Sequence, residues 1–276
     1  MTSATASGTS GLLLRFAAPL QSWGERSQFN ERDTAPFPTR SGVIGLIAAA
    51  LGRKRDQDLG ELTTLRLTVR ADRPGVILRD LHTVGGGLPA ARTVTTADGK
   101  KRSGTTATLL SHRYFLADAV FTAAVTADPD HLATWADALR NPHWPPYLGR
   151  RSCPPEGPLL LGLVDDPLHH LVHLPITRRA PRGSRGVDIV FHGDQPLDRL
   201  GDHPQPRVDD GGTPAGEVTD DPVTFHPRQR SYRARPRYQR TLTLPADRCQ
   251  GLGIGYLTAL GAYLDRHTTC PESVLA

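Results

Sequence analysis

Cysteine is scarce and unpatterned in this chain. Cys153, Cys249 and Cys270 are far apart, odd in number and never in a CxxC pair. Neither a disulfide framework nor a zinc knuckle is indicated, and a reducing, cytoplasmic compartment is expected. Long apolar runs are missing: the run at Gly11–Phe16 is cut by Arg15, far short of the roughly 18 residues of a spanning helix. Met1 to Ser10 carries no positive residue and no apolar stretch, so neither a secretory signal nor a membrane partner is expected. The phosphate-cradling GxxxxGK[ST] and the nucleophile elbow GxSxG are absent. Gly251-Leu252-Gly253-Ile254-Gly255 lacks the dinucleotide spacing and its acidic partner, and reads as structural; no cofactor is expected. His169, His170 and His173 lie beside Asp165 and Asp166. Read as a strand over 168–176, this segment turns His170 away from the other two, so no metal site is expected.

Lysine is nearly absent as well. Only Lys54, Lys100 and Lys101 are lysines, which leaves 30 arginines among the 33 basic residues. Arginine's planar fork suits phosphate. The net charge is +5, but its distribution says more. From Asp194 to Asp221 eight acids face two arginines; from Pro222 to Arg240 six arginines face no acid. Such segregation points to a dedicated basic strip at 228–240, directed at a polyanion or an acidic partner. Arg178, Arg179, Arg182 and Arg185 form another basic stretch, with Gly183 and Gly186.

Hydrophobic residues make up 38% of 276, enough to bury a core in one large or two small domains. Residues 11–16 read as a first strand. Thr39 or Ser41 caps a helix over 39–52 whose apolar positions Val43, Ile44, Ile47, Ala50 and Leu51 share a face, and Gly52 stops it. Leu65–Arg70 alternates as a half-buried strand, and Tyr114–Val125 reads as the next. Asp128-Pro129 opens a helix to about Arg140, followed by a strand at Leu159–Val164. This order is that of a ferredoxin-like, RNA-recognition-like α+β fold. An insertion at about 81–112 holds Gly85-Gly86-Gly87 and threonine-rich flanks around Asp98-Gly99, with Lys100, Lys101 and Arg102 at the tip. It reads as a protruding basic β-hairpin. Residues 193–216, rich in Pro, Gly and Asp, read as a mobile loop, Arg237–Leu244 as a last strand and Gly251–Leu264 as a closing helix.

The densest constellation lies at 15–55. Gln21, Trp23, Arg26 and Arg32 precede Arg40-Ser41-Gly42, where a helix N-terminus with an arginine and a hydroxyl suits a phosphate. Trp23 and Tyr114 are candidates for base stacking, with core packing as the plainer role. His112 and Tyr114, two residues apart on one strand face, suit either RNA contact or general acid–base attack through a ribose 2′-hydroxyl.

The phrase LRFAAPLQSWG, followed by FPTRSGVIGLIAAALGRKR, resembles the N-terminal signature of the CasD family. CasD is the type I-E CRISPR Cascade subunit that binds the 5′ handle of the guide RNA. The likeness is dense over 12–55. It runs more loosely through Asp80–Val84, Ser111–Ala119 and Tyr147–Pro154, and only in general character beyond about 165.

The resemblance implies a ferredoxin-like domain over 1–165 with a β-hairpin thumb at about 84–110. A smaller β-rich part over 166–276 would follow; the mobile loop at about 193–221 within it is read from composition and has no place in the family pattern. It further implies a non-catalytic subunit of an antiviral surveillance complex. The subunit would cap the crRNA 5′ handle, neighbour the backbone subunit CasC and the large subunit CasA, and meet target DNA through the complex. In type I-E systems a separate subunit, CasE, cuts the RNA. In related type I-C systems the equivalent subunit is itself a metal-independent endoribonuclease, so the alternative function is cleavage of CRISPR repeat RNA by His112 with Tyr114 or Lys100. The RNA-binding residues so expected are Gln21, Trp23, Arg26, Arg40, Ser41, Gly42, Lys100, Lys101, Arg102, His112, Tyr114, Arg150 and Arg151.

Overall fold

Three apolar side chains of the first strand, Leu12, Leu14 and Phe16, point into one core while Leu13 points into another. That alternation makes a sheet buried on both faces. The computed structural model describes residues 9–25, 30–96, 99–102, 107–198, 200–201 and 211–267. Its strands are β1 (Ser10–Ala17), β2 (Leu20–Gln21), β3 (Glu31–Arg32), β4 (Arg66–Arg73), β5 (Val76–Val84), β6 (Leu109–Ala117), β7 (Val120–Thr126), β8 (Leu160–Asp165), β9 (Gly186–Gly193), β10 (Gly216–Thr224) and β11 (Ser231–Pro245). The helices are α1 (Arg40–Ala50), α2 (Pro129–Arg140), α3 (Pro167–His173) and α4 (Ile254–His267).

Seven strands form one large sheet in the order β10-β11-β9-β4-β7-β1-β8, antiparallel at every pairing. Side chains of α1 and α2 fill the core on one face, among them Val43, Ile47, Leu132 and Trp135. Leu171 and Val172 of α3 with Tyr256 and Leu260 of α4 fill the other. Each fully buried Leu or Phe contributes about 1.5–3 kcal/mol. The smaller sheet runs β2-β6-β3, with β5 on the other edge of β6. Among the described residues no helix is long and apolar enough to cross a membrane.

Five sequence expectations change. The segment Tyr114–Val125 is not one strand: Asp118, at φ 59°, turns the chain from β6 in the small sheet to β7 in the large one, and Arg73 ion-pairs with it.

The segment at 168–176 is not a strand. Pro167 at the first helical position and Asp166, which accepts from the His169 N–H at 3.1 Å, start the seven-residue helix α3. His169 and His173 therefore stack at 4.0 Å on one side, and His170 instead bonds the Tyr263 hydroxyl at 2.9 Å.

β4 is buried on both faces rather than half-buried. Arg70 and Asp72 form an internal ion pair at 2.5 Å, and Arg70 also donates to the carbonyls of Leu171, Leu174 and Pro175. The polar face of the strand thus serves the orphan carbonyls at the end of α3.

Where residues 194–201 are described they are packed, with Asp194, Leu197 and Leu200 buried, so the loop proposed at 193–216 is anchored at its start.

The insertion is a hairpin, but its stems lie lower than the threonine-rich flanks. β5 and β6 pair over nine positions from Val76↔Ala117 to Val84↔Leu109. Near the tip the bridge Thr95↔Lys101 joins the two arms, and Gly99 between them has φ +78°. Asp98 lies outside the described residues.

Candidate nucleic-acid groove

α1 carries small residues where its surface is open. Gly42, Gly45, Ala48 and Ala49 line a groove of about 1070 Å³. Thr39 starts the helix by accepting from the Gly42 N–H, and Gly52, at φ +75°, ends it. The next residues, Arg53-Lys54-Arg55, continue the same wall. The opposite walls come from the Trp144–Pro154 segment and from the β10–β11 connection with the start of β11, which bring Phe225, Arg230 and Tyr232.

The groove is rich in cations and rings. Arg53, Lys54, Arg55, Arg151 and Arg230 line it with Trp144, Tyr147, Phe225 and Tyr232, and among the described residues no carboxylate does. Arg53 is committed to Glu61 and to the Leu59 carbonyl. Among the described residues, no ion pair holds Lys54, Arg55, Arg151 or Arg230. Burial raises the Tyr232 hydroxyl pKa above its ordinary value, against the lowering pull of Arg230 and Arg55.

The Trp144–Pro154 wall depends on Gly149. Its φ is +85°, and a Cβ there would stand 1.5 Å from the Ser22 carbonyl oxygen. Ser22 in turn donates its N–H to the Leu148 carbonyl at 3.1 Å. The Tyr147–Pro154 segment is thus docked on the segment that carries Trp23.

The candidates from the sequence divide between this groove, the interior and the hairpin. Arg40 is interior. Its guanidinium bonds Asp194 at 2.6 Å, Asp221 at 3.1 Å and the carbonyls of Thr63 and Leu65. Its backbone N–H is taken by Asp220 at 2.7 Å. The anion expected at this helix N-terminus is supplied by the chain's own acidic run, and the Gly42 N–H is taken by Thr39. Burial pushes the Asp194 carboxyl pKa up even beside Arg40.

Trp23 is core: its indole N–H donates to Gln21 at 3.0 Å. Gln21, fully buried, donates to the carbonyls of Phe16 and Ala119. Trp23 also packs so tightly on α1 that a Cβ at Gly42 would meet its ring at 2.7 Å. Ser41 and Gly42 do line the groove.

Arg150 and Arg151 part company. Arg150 lies 4.6 Å over the Phe115 ring and donates to the Arg32 carbonyl, and burial lowers its pKa. Arg151 is exposed in the groove. Arg26 lies outside the described residues.

His112 and Tyr114 sit on β6 at the hairpin stem. Glu31 comes between them: it bonds His112 Nδ1 at 2.8 Å, and this bond, with one to Tyr114, holds its carboxyl below the usual range. Lys100 is exposed at the hairpin tip, Lys101 bonds Thr93 and Thr95, and the Arg102 N–H donates to the Val94 carbonyl.

Part of the arginine strip is met by carboxylates within the chain. β10 and β11 pair antiparallel, which sets Asp221 against Arg233 at 3.1 Å and Asp220 against Arg235 at 2.6 Å. Arg240 donates to the carbonyls of Leu197, Asp198 and Leu200. Arg233 and Arg235 thus find their partners in the acidic block, and Arg230 reaches the groove. Arg55, Tyr232 and Trp144 were not singled out from the sequence. The visible signal was the Arg53-Lys54-Arg55 run directly after the helix-stopping glycine.

Comparisons with known proteins agree with one another. A solved structure titled CRISPR RNA-guided surveillance complex contains a chain 41% identical, matched with a TM-score of 0.79 over 92% of this chain and 99% of that one. Another, titled crystal structure of Cas protein, is 32% identical with a TM-score of 0.56 over 88% of this chain and 98% of that one. The CRISPR system Cascade subunit CasD of Escherichia coli (strain K12) is 39% identical over 166 residues, covering 55% of this chain and 70% of that protein. The family described as CRISPR-associated protein (Cas_Cas5) matches residues 11–247. With the mixed α/β fold and its two sheets, these matches make the chain a member of that CRISPR-associated family and a Cascade component.

Proposed function

We propose that the chain is a non-catalytic RNA-binding subunit that caps the 5′ handle of crRNA in the groove beside α1. The observation that carries this reading is the groove's lining, which among the described residues is cationic and aromatic without a carboxylate. Splayed single-stranded bases stack on such rings while arginines hold the phosphates. Lys54, Arg55, Arg151 and Arg230 take the phosphates, Ser41 and Gly42 offer a close helix surface, and Trp144, Tyr147 and Tyr232 are the stacking platforms.

In this reading residues 1–165 form a ferredoxin-like unit, supported by the adjacency of β4, β7, β1 and β8 with α1 and α2 on one face. Residues 166–276 extend its sheet. The β5–β6 hairpin is the thumb. It exposes Val76, Ile77, Leu78, Leu81, Leu88 and Leu110, an apolar surface of the kind that meets a protein neighbour. The backbone subunit CasC is the neighbour we assign to it, with CasA nearby and target DNA reached through the assembly.

One observation favours endoribonuclease action as the second reading: the Glu31–His112 contact orients an imidazole beside Tyr114. A single gel separates the two. Purified chain is mixed with labelled CRISPR repeat RNA, handle-bearing guide and a scrambled control, with and without chelator. Handle-dependent retention with intact RNA supports the capping role. Chelator-resistant cleavage that His112→Ala abolishes, with binding kept, supports the nuclease.

A further inference from the structure

The arginine loop between α3 and β9 is absorbed by neither the groove nor the internal ion pairs. We propose that residues 178–186 form a second nucleic-acid contact, one that grips the phosphate backbone of a duplex independently of its sequence. The inference goes beyond the groove reading and does not depend on it.

The loop is built. Arg178 and Arg185 offer their carbonyls to the N–H groups of Gly251 and Ala246, both at 3.0 Å, which pins the two ends to the segment between β11 and α4. Ser184 donates its N–H to the Pro181 carbonyl at 3.2 Å, and Gly183 turns the tip at φ +73° into open space. Arg178 donates to the Asp188 carbonyl at 3.4 Å. Arg179, Arg182 and Arg185 are exposed, and among the described residues no ion pair holds them. This contrasts with Arg40, Arg233 and Arg235, whose charge is met within the chain.

Position separates the loop from the Arg40 site at the start of α1. It enters β9 at Gly186, whereas Asp194, the partner of Arg40, follows the other end of that strand. Eight residues at about 3.3 Å each put about 25 Å between them. Composition chooses the ligand. Thr177-Arg178-Arg179-Ala180-Pro181-Arg182-Gly183-Ser184-Arg185-Gly186 contains no aromatic residue, so it offers no platform for splayed bases. Four arginines within eight residues suit the denser charge of a duplex, about one per 1.7 Å of axis.

The test uses the complete chain carrying R179Q/R182Q/R185Q, with R55Q/R151Q as the groove variant. Each is titrated with a labelled 20-base-pair DNA duplex and with a single-stranded handle RNA across a salt series, and melting temperatures verify folding. Losing three contacts should reduce the slope of log K against log salt for the duplex by about 2–3, at about 0.9 per phosphate. Duplex affinity at low salt should fall at least tenfold, with RNA binding unchanged. The groove variant should do the reverse, so the two readings fail separately. An unchanged duplex slope, a loss confined to RNA, or a wild-type chain without duplex affinity at low salt would overturn the proposal.

Discussion

Arg40 and Asp194 meet at 2.6 Å, one at the start of α1 and the other just beyond the end of β9, 154 residues later. Both side chains are under a tenth exposed. Removing one partner of such a pair leaves a buried charge and costs about 3–5 kcal/mol. Arg40→Ala should therefore lower the urea midpoint sharply. A variant that keeps its midpoint but loses one phosphate from its RNA salt slope would return Arg40 to the role its sequence context suggests.

Gly149 is the second test of packing. Gly149→Ala adds a collision with Ser22 to an unfavourable φ, whereas Gly99→Ala meets a similar φ with open space around it. Backbone strain alone costs about 1–3 kcal/mol. Gly149→Ala should exceed Gly99→Ala in denaturant melts and should also weaken RNA binding, because the wall carrying Arg151 moves. Equal losses would show that the collision relaxes freely.

These two positions also show what could be read from the chain alone. β1, the Thr39 cap, the Gly52 stop and the Asp128-Pro129 start are local signals, and the folded chain keeps them. The same Asp-Pro start recurs at Asp166-Pro167, but seven residues are too few to show helical periodicity against a strand reading. The pairing of the acidic and basic blocks is not local. It requires β10 to fold back on β11 and Asp194 to reach α1, and composition cannot express either event. The groove has the same character. Arg55, Arg151 and Arg230 come from three separated segments, and only the first lies in the motif dense enough to resemble a family.

His192 supplies a pH dependence. Burial, with Arg237 adding to it, lowers its pKa from 6.5 to about 4, and its ring stacks on Phe37 at 4.4 Å. The folded state holds it neutral. Its contribution is complete above pH 6.5 and is lost as pH falls toward 4, by about 3 kcal/mol at about 1.4 per unit. His192→Phe should flatten the melting temperature across that window. An equally steep fall in the variant would assign the acid sensitivity to other groups.

The hairpin's apolar surface predicts a separation of functions. Ile77→Asp with Leu81→Asp should leave melting temperature and RNA affinity unchanged, since both side chains are more than half exposed. Co-purification with neighbouring Cascade proteins should be lost. Full retention of those neighbours would show that the hairpin surface is not where they dock.

The most direct test of the account is the salt dependence of handle-RNA binding by the wild-type chain and by R55Q/R151Q. Two lost phosphate contacts should reduce the slope by about 1.4, at about 0.7 per contact for a single strand, and weaken handle and scrambled RNA alike with no change in melting temperature. An unchanged slope and affinity in the folded variant would contradict the groove as the seat of RNA binding.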